Sequence, residues 1–300
     1  MHLAMNIHPR IQELTSAGAV ITDGAWGTQL QLRGLSPGEA PDLWNLAHPE
    51  KVSEVAKAYI AAGSQIILTN TFGANQFRLA EVGAADKVKA INETGVQISL
   101  DAAGDNALVF ASMGPSGKLL MSGDVSEAEL HAAFSQQAQA LASAGAQGLI
   151  VETMQDLDEA RIAIAAAKAT GLPVVASMVF DSGKDQDRTM FGTTPEQAAD
   201  ALIAAGADVI GANCGQGIAG FVKVCARLKS AAEGHPIWIK ANAGLPHMEN
   251  GRATYAMTAV EFAGYLPAVL SAGASFIGGC CGTTPEFIRE LHRQLHGQNG

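Results

Sequence analysis

Two adjacent cysteines near the carboxyl end of the sequence are the residues best suited to chemistry. Cys280 and Cys281 stand between glycines, directly after the apolar run 274–277 and just before an expected helix start. A third cysteine, Cys214, also follows an apolar run, 209–212. Three thiolates can fill three corners of a tetrahedron around Zn²⁺, and an open fourth corner is typical of catalytic rather than structural zinc. The pattern therefore predicts a zinc site at Cys214, Cys280 and Cys281.

Other interpretations of the cysteines remain open at this point. Four cysteines in 300 residues are too few for a disulfide scaffold. An isolated free cysteine is often a small buried hydrophobe, and Cys225, on an amphipathic stretch, is expected to be one. Structural burial or a vicinal disulfide is the alternative for Cys280 and Cys281. Glycines on both sides of the pair favour the metal site.

The composition indicates the class of partner. The chain is 48% hydrophobic and 16% charged, which is enough apolar material for a large core, and its net charge is −10. This negative charge, without any run of Lys or Arg, argues against nucleic acid or an anionic membrane as a partner. No stretch reaches the roughly 18 apolar residues of a membrane span. We expect a cytoplasmic protein that acts on a small molecule.

A repeated pattern predicts the fold. Alanine-rich helical stretches end at Ala-Gly and are followed at once by apolar runs, which are continuous rather than alternating, as in parallel sheets buried on both faces. Eight such units predict a (β/α)8 TIM barrel, with residues 1–300 as one domain. A doubly wound open sheet is the alternative. The predicted strands are 19–22, 65–68, 107–110, 148–151, 174–178, 208–210, 237–240 and 275–277.

Polar residues follow most of these strands. In a parallel barrel the carboxyl ends of the strands meet at one mouth, where catalytic residues lie. The expected mouth therefore collects three thiols, two carboxylates and several amides. An unpaired carboxylate at Glu152, after a strongly apolar run, would be costly, so it is expected to have a cationic partner. The residues at these strand ends include Asp23, Gly27, Thr28, Asn70, Glu152, Cys214, Asn242, Cys280 and Cys281.

Together these residues resemble a known family, the zinc-dependent homocysteine S-methyltransferases. This family includes the homocysteine-binding module of cobalamin-dependent methionine synthase and the betaine:homocysteine methyltransferases. The resemblance covers roughly residues 15–292. Its motifs are Asp23-Gly24 with Gly27-Thr28, the run 69–75, Glu152-Thr153, Asn213-Cys214-Gly215, Asn242-Ala243-Gly244 and the run 278–285.

The resemblance implies an activity and a role for each residue. The fold is expected to be a TIM barrel in which Cys214, Cys280 and Cys281 hold zinc and the homocysteine sulfur takes the fourth position. Asp23 and Glu152 would receive the substrate ammonium group, and the backbone around Gly27 and Thr28 its carboxylate. Asn242 matches a position that, in the methionine synthase module, can ligate zinc when substrate is absent. The implied reaction is methyl transfer to homocysteine, which forms methionine.

The methyl donor is the least determined part of this prediction. The resemblance allows an onium compound or a methylcorrinoid, and a corrinoid would have to arrive on a separate protein. An onium donor favours aromatic faces, for which Trp26, Trp44 and Phe72 are candidates. Two other classes remain open: a metal-free barrel enzyme using Cys280 or a Schiff base at Lys240, and a non-enzymatic zinc- or thiol-binding barrel.

Overall fold

The computed structural model describes residues 7–249 and 252–297 of the chain. Ten strands are present in these ranges: β1 Val20–Ile21, β2 Ile66–Ile67, β3 Leu108–Met113, β4 Gly148–Met154, β5 Val174–Met178, β6 Val209–Gly217, β7 Ile237–Asn242, β8 His247–Glu249, β9 Arg252–Thr254 and β10 Ala274–Gly279. Eight of them form one sheet in the order β1, β10, β7, β6, β5, β4, β3, β2. Every pairing in this sheet is parallel.

The sheet closes on itself. Its two outer strands meet through a parallel bridge between Thr22 and Ile66, and the Gln65 amide N–H donates to the Ile21 carbonyl at 2.8 Å. Side chains add to the contact between β1 and β2: Gln65 Oε1 accepts from the Ile21 amide, and Asp23 Oδ2 accepts from the Leu68 amide. The predicted TIM barrel is confirmed, and the open-sheet alternative is set aside.

Thirteen α-helices occur in the described ranges, most of them between consecutive barrel strands. They are α1 Pro9–Ser16, α2 Trp26–Leu32, α3 Trp44–Ala47, α4 Pro49–Ala61, α5 Gln76–Glu81, α6 Val88–Ala103, α7 Glu127–Ser143, α8 Leu157–Lys168, α9 Pro195–Ala204, α10 Ile218–Ala231, α11 Ala259–Gly264, α12 Leu266–Ser271 and α13 Pro285–Gly297. Short 3-10 helices cover Pro41–Leu43, Ala85–Lys87 and Leu120–Ser122. No helix in the described part of the chain is long and apolar enough to cross a membrane.

The Ala-Gly repeats end helices as predicted. The glycines at 63, 145, 206 and 273 all have positive φ angles, between 98° and 106°. Residues with a Cβ rarely adopt such angles, so glycine lets the chain leave the helix and enter the next strand at once. The sequence did not predict the antiparallel hairpin of β8 and β9, which follows β7.

Apolar side chains fill the amino-terminal half of the barrel interior. Each of the eight barrel strands contributes to one buried cluster, and Ile11 of α1 covers its lower end. A second, larger cluster packs the outer faces of the strands against the helices. The inner cluster consists of Ile11, Val20, Ile66, Leu68, Phe110, Ile150, Val175, Val209, Trp238 and Phe276.

Candidate functional site

Two residues further along each strand, the barrel interior changes character. Side chains at i and i+2 of a strand point to the same face, so the next inward-facing layer can be read from the sequence. Its residues are Thr22, Leu68, Ser112, Glu152, Ser177, Gly211, Lys240 and Gly278. Polar or very small residues thus replace the apolar ones in all but one strand. This layer forms the floor of a site at the carboxyl-terminal mouth.

Three thiols lie together above this floor. Cys214 is in β6, and Cys280 and Cys281 follow β10 directly. Their Sγ atoms all lie within 4.8 Å of one another, and those of Cys214 and Cys281 are 3.8 Å apart. Tetrahedral zinc with Zn–S bonds of about 2.3 Å separates its sulfur ligands by roughly 3.8 Å. The three cysteines predicted from the sequence are therefore brought together at a spacing that fits a metal ion of this size.

A strained backbone presents Cys214 to the site. Cys214 has a φ of 61°, and Thr153, the residue after Glu152, has a φ of 62°. Such angles are unusual for residues other than glycine and are maintained only when neighbours enforce them. Asn213 is the neighbour here, because its Oδ1 accepts from the Thr153 amide at 2.9 Å and its Nδ2 donates to Thr153 Oγ1 at 2.7 Å. The sequence reasoning assigned no such role to Asn213.

Glycines before the cysteine pair allow β10 to lie close to its neighbours. A Cβ added to Gly278 would lie 2.0 Å from Thr22 Oγ1, and one added to Gly279 would lie 2.3 Å from Thr283 Oγ1. Thr283 in turn donates its hydroxyl to the Cys280 carbonyl at 2.7 Å. This contact fixes the turn that carries both cysteines, and it was not anticipated from the sequence.

The thiols strongly disfavour ionisation on their own. The contact with Cys280 by itself lowers the pKa of Cys214, but the contact with Cys281 and burial outweigh it and raise that pKa to about 12. Likewise, the Cys214 contact lowers the pKa of Cys281, while the contacts with Cys280 and burial raise it to about 12 overall. Thiolates are the form that binds metal. A cation at this position would supply the charge that such ionisation needs.

Asp23 lies behind the site rather than on its surface. Its carboxylate is completely buried and accepts from three donors: Lys240 Nζ, the Trp26 indole N–H at 2.7 Å and the Leu68 amide at 2.7 Å. The structure therefore places Asp23 next to the mouth, as expected, but with a lysine and an indole already bound. A direct contact between Asp23 and a substrate ammonium group stays a prediction.

Glu152 has one carboxylate oxygen that accepts no hydrogen bond from the described residues. Its Oε1 accepts from the Ser112 hydroxyl, and no residue in the described ranges donates to its other oxygen. Burial raises the pKa of Glu152, and the positive charge of Lys240 partly opposes this effect. Glu152 forms no salt bridge within the described ranges, so the expected direct cationic partner is not found there. The nearby charge of Lys240, which pairs with Asp23, acts on Glu152 without direct pairing.

A cavity of about 690 Å³ opens onto these groups. Its lining includes predicted site residues Gly27, Thr28, Glu152 and all three cysteines of the cluster, but neither Asp23 nor Asn242. Asn242 is buried in β7, and no described residue donates to its Oδ1. β7 also holds the cysteine pair, because the Cys280 amide donates to the Ala241 carbonyl at 2.7 Å. Asn242 thus supplies an unpaired amide oxygen in the strand beside the thiols.

The aromatic candidates for an onium donor separate into two groups. Trp26 and Phe72 line the cavity. Trp44 does not, because it is buried, donates its indole N–H to Glu39 at 2.7 Å and has the Lys51 ammonium 4.6 Å from its ring centroid. The face of Trp44 is therefore already used by a cation of the protein itself.

The fold and the site together define a class: a TIM barrel with a three-cysteine cluster, able to hold a metal ion, at its carboxyl-terminal mouth. The chain belongs to the homocysteine S-methyltransferase family, which it matches over residues 20–295. It is 30% identical over 319 residues to betaine–homocysteine S-methyltransferase 1 of Danio rerio, covering 97% of this chain and 76% of the relative.

Two further comparisons concern a longer relative and a solved structure with the same fold. The chain is 29% identical over 298 residues to methionine synthase of Mycobacterium tuberculosis, a match to 93% of this chain but only 25% of that protein. It thus spans about a quarter of the length of the methionine synthases it matches. The crystal structure of the homocysteine methyltransferase MmuM from Escherichia coli in its metallated form has the same fold, with a TM-score of 0.79, 24% identity and coverage of 96% of this chain and 100% of that one.

Proposed function

We propose that this chain is a zinc-dependent methyltransferase that moves a methyl group from an onium or methylcorrinoid donor to the thiolate of L-homocysteine, forming methionine. The observation that carries the proposal is the cluster of three thiols within 4.8 Å of one another beside a cavity of about 690 Å³. The names of the relatives support the acceptor, because two of them are homocysteine methyltransferases. The proposal treats residues 1–300 as one barrel domain.

In this proposal Cys214, Cys280 and Cys281 hold Zn²⁺, and the orphaned Oδ1 of Asn242 is a further oxygen donor nearby. Zinc, when bound, lowers the pKa of a coordinated thiol and so supplies the acceptor as a thiolate at neutral pH. The remaining residues bind and orient the substrate. Gly27 and Thr28 offer backbone groups to its carboxylate at the edge of the cavity.

Glu152 is the residue that meets the substrate ammonium group in this proposal, because it lines the cavity and has one oxygen without a donor among the described residues. Methyl transfer itself is a substitution: the sulfur forms a bond to the methyl carbon, and the donor leaves with the electron pair of the bond that breaks. The chain contributes by holding the two reactants in line, which is worth several kcal/mol of a bimolecular barrier. Trp26 and Phe72 provide apolar faces for the donor at the mouth.

The charge of Lys240 and the protonation of Cys280 argue against the metal-free alternatives. Burial lowers the pKa of Lys240, but the charges of Asp23 and Glu152 raise it overall, so this amine stays protonated and is a poor Schiff-base nucleophile. The pKa of Cys280 is also raised well above its ordinary value: its contact with Cys214 and burial both raise it, and the Cys281 contact only partly opposes them. A neutral thiol is a poor nucleophile.

The test is a donor screen with homocysteine as acceptor. Betaine, S-methylmethionine, dimethylsulfoniopropionate and methylcobalamin are offered in parallel to the zinc-containing protein, and methionine is measured by mass spectrometry. We expect methionine from at least one donor and none after the zinc has been removed with a chelator. Unchanged activity after chelation would favour a metal-free enzyme. Zinc binding without any methionine formation would favour a non-enzymatic zinc- or thiol-binding barrel.

A further inference from the structure

A buried lysine, Lys240, borders the cavity at the mouth of the barrel where we propose that the substrate binds. Lys240 is two residues beyond Trp238 in β7 and so points into the barrel, in the polar layer. It pairs in register with Gly278 of β10, where Thr22 lies too close to leave space for a side chain. Lys240 lines the cavity, whereas Asp23, its ion-pair partner, does not. Of this ion pair, the lysine is therefore the member that borders the cavity.

The ammonium group of Lys240 has hydrogen-bonding capacity left over. Of its three N–H donors, one binds Asp23 Oδ1, and no other acceptor for Nζ occurs within the described ranges. The residue is about 98% buried. Buried donors of a charged group are costly when they lack acceptors, so they indicate an acceptor that the protein does not itself provide.

The neighbouring carboxylate has the complementary property. Glu152 is on the same polar layer, lines the same cavity and has one oxygen without a donor among the described residues. The charge of Lys240 acts on Glu152 without a salt bridge between the two. A lysine with unused N–H donors and a glutamate with one unpaired oxygen thus border one cavity next to the three cysteines. This arrangement matches a zwitterionic thiol better than a thiol with only one charged group.

We propose that Lys240 is a specificity-determining residue that binds the carboxylate of the acceptor while Glu152 binds its ammonium group. This inference rests on the proposed function and makes it more specific: the acceptor is an α-amino acid that carries a thiol. One carboxylate oxygen meets Lys240, and the other remains available to the backbone around Gly27 and Thr28. Asp23 then acts as a positioning residue, which holds Lys240 rather than the substrate.

Three small thiol compounds can separate the contribution of the ligand's carboxylate from that of its ammonium group. L-Homocysteine has both, 4-sulfanylbutanoate lacks the ammonium group, and 3-aminopropane-1-thiol lacks the carboxylate. Binding of each to the zinc-containing protein is measured by calorimetry. The single variant Lys240→Met leaves the buried Asp23 carboxylate without its cation, which destabilises the fold. The decisive variant is therefore the double one, Asp23→Asn with Lys240→Met.

In the double variant, the Kd of homocysteine and of 4-sulfanylbutanoate should rise about 10- to 100-fold, the range expected for one lost charge-assisted hydrogen bond. The Kd of 3-aminopropane-1-thiol should stay within about twofold. The matched control is Lys223→Met, since Lys223 also pairs with one aspartate, Asp187 at 2.9 Å, but is exposed on α10. It should leave all three constants unchanged.

Two results would overturn the inference. If the double variant loses affinity only for 3-aminopropane-1-thiol, Asp23 receives the ammonium group. If it loses affinity equally for all three compounds, Asp23 and Lys240 have only a structural role. In either case the parent protein still binds homocysteine, so the proposed function is untouched. If the parent protein binds none of the three thiols, the proposed function fails and this inference fails with it.

Discussion

Two buried aspartates, one at each end of the barrel, make almost the same set of contacts. Asp208, just before β6, accepts from the Lys168 ammonium, the Val174 amide and the His8 amide. Asp23, just after β1, accepts from the Lys240 ammonium, one backbone amide and an indole N–H. Both carboxylates thus join neighbouring strands where the backbone ladder begins or ends.

The difference lies in the lysines. The side chain of Lys168 is 33% exposed, so its remaining donors can reach solvent, whereas that of Lys240 is 3% exposed and borders a cavity. The pair at the amino-terminal end, Asp208 with Lys168, therefore keeps no buried donor without access to an acceptor, and we assign it to stability. The pair at the carboxyl-terminal end, Asp23 with Lys240, leaves charged N–H donors unsatisfied inside the protein. We infer that equal contacts serve stability at the amino-terminal end and recognition at the carboxyl-terminal end, as is general for TIM barrels.

The largest effect should come from breaking the thiol cluster at the mouth. Cys281→Ala removes one of three metal ligands, so we expect no stoichiometric zinc and no methyl transfer. Metal analysis and the methionine assay measure both. The matched control is Cys225→Ala in the barrel wall, where the thiol is buried and contacts the Val269 carbonyl at 3.9 Å. It should keep zinc and activity. Full zinc occupancy in Cys281→Ala would refute the assignment of the ligands.

At the amino-terminal end of the barrel, a large effect on stability rather than on activity is expected. Asp208→Ala leaves two backbone amides and the Lys168 ammonium without their acceptor, so the free energy of unfolding should fall by about 3–5 kcal/mol. The affinity for homocysteine should not change in the protein that remains folded. Urea denaturation and calorimetry make the two measurements. Weaker homocysteine binding with normal stability would contradict the division between the two ends.

Much of this architecture follows from local sequence. The eight strands are continuous apolar runs, and the Ala-Gly boundaries place them, so the barrel and the position of the cysteines could both be predicted. The change from an apolar to a polar inward layer was also readable, because Lys240 and Glu152 each lie two residues beyond a large inward apolar side chain. This signal identifies Lys240 as a residue of the site.

Other features depend on contacts between distant parts of the chain. The pairing of Lys240 with Asp23 joins residues 217 apart in sequence, and no local pattern indicates that it buries Asp23 behind the lysine. Trp44 was a candidate at the mouth, but stacking with Lys51 and burial remove it from the cavity. The backbone at Thr153 likewise depends on a distant residue, Asn213, which is hydrogen-bonded to it.

Asp42 is a third buried aspartate, and it lies at the mouth without a lysine as its partner. It therefore tests what burial alone does to a carboxylate there. It accepts from the Gly73 amide at 2.9 Å, and it forms no salt bridge among the described residues. Burial raises the pKa of Asp42 to about 6, although the Gly73 hydrogen bond opposes the rise. The folded protein therefore binds this proton more tightly than the unfolded chain does.

The sign of the pH effect follows from that difference. The stability of the parent should fall as the pH rises from about 4 to about 6, because the unfolded carboxyl ionises first. Asp42→Asn keeps an acceptor for Gly73 but cannot ionise. It should be more stable than the parent by about 3 kcal/mol at pH 8, on the order of the two-unit shift, and about equal to it at pH 3. Denaturation at both pH values tests this, and a constant difference would exclude titration of Asp42 as the cause.

The smallest expected effect concerns Glu152, the carboxylate with the free oxygen. Glu152→Gln keeps the shape and an acceptor for Ser112 but removes the charge that we propose meets the substrate ammonium group. Homocysteine binding should weaken by about 1.5–3 kcal/mol, the usual value of a hydrogen bond to a charged group, with zinc retained. The pKa of Glu152 is raised by burial, so acidification should protonate it and reduce the advantage of the parent over the variant.

Glu159→Gln is the matched control for this measurement. Glu159 is also buried, its pKa is also raised by burial, and its Oε1 also accepts from a serine hydroxyl, that of Ser116. It lies in α8, however, and does not line the cavity. Because the two glutamates share burial and a serine partner, a loss of affinity in Glu152→Gln alone can come only from the charge at the mouth. Equal losses in both variants would instead mean that Glu152 supports the barrel, and the substrate ammonium group would need another partner.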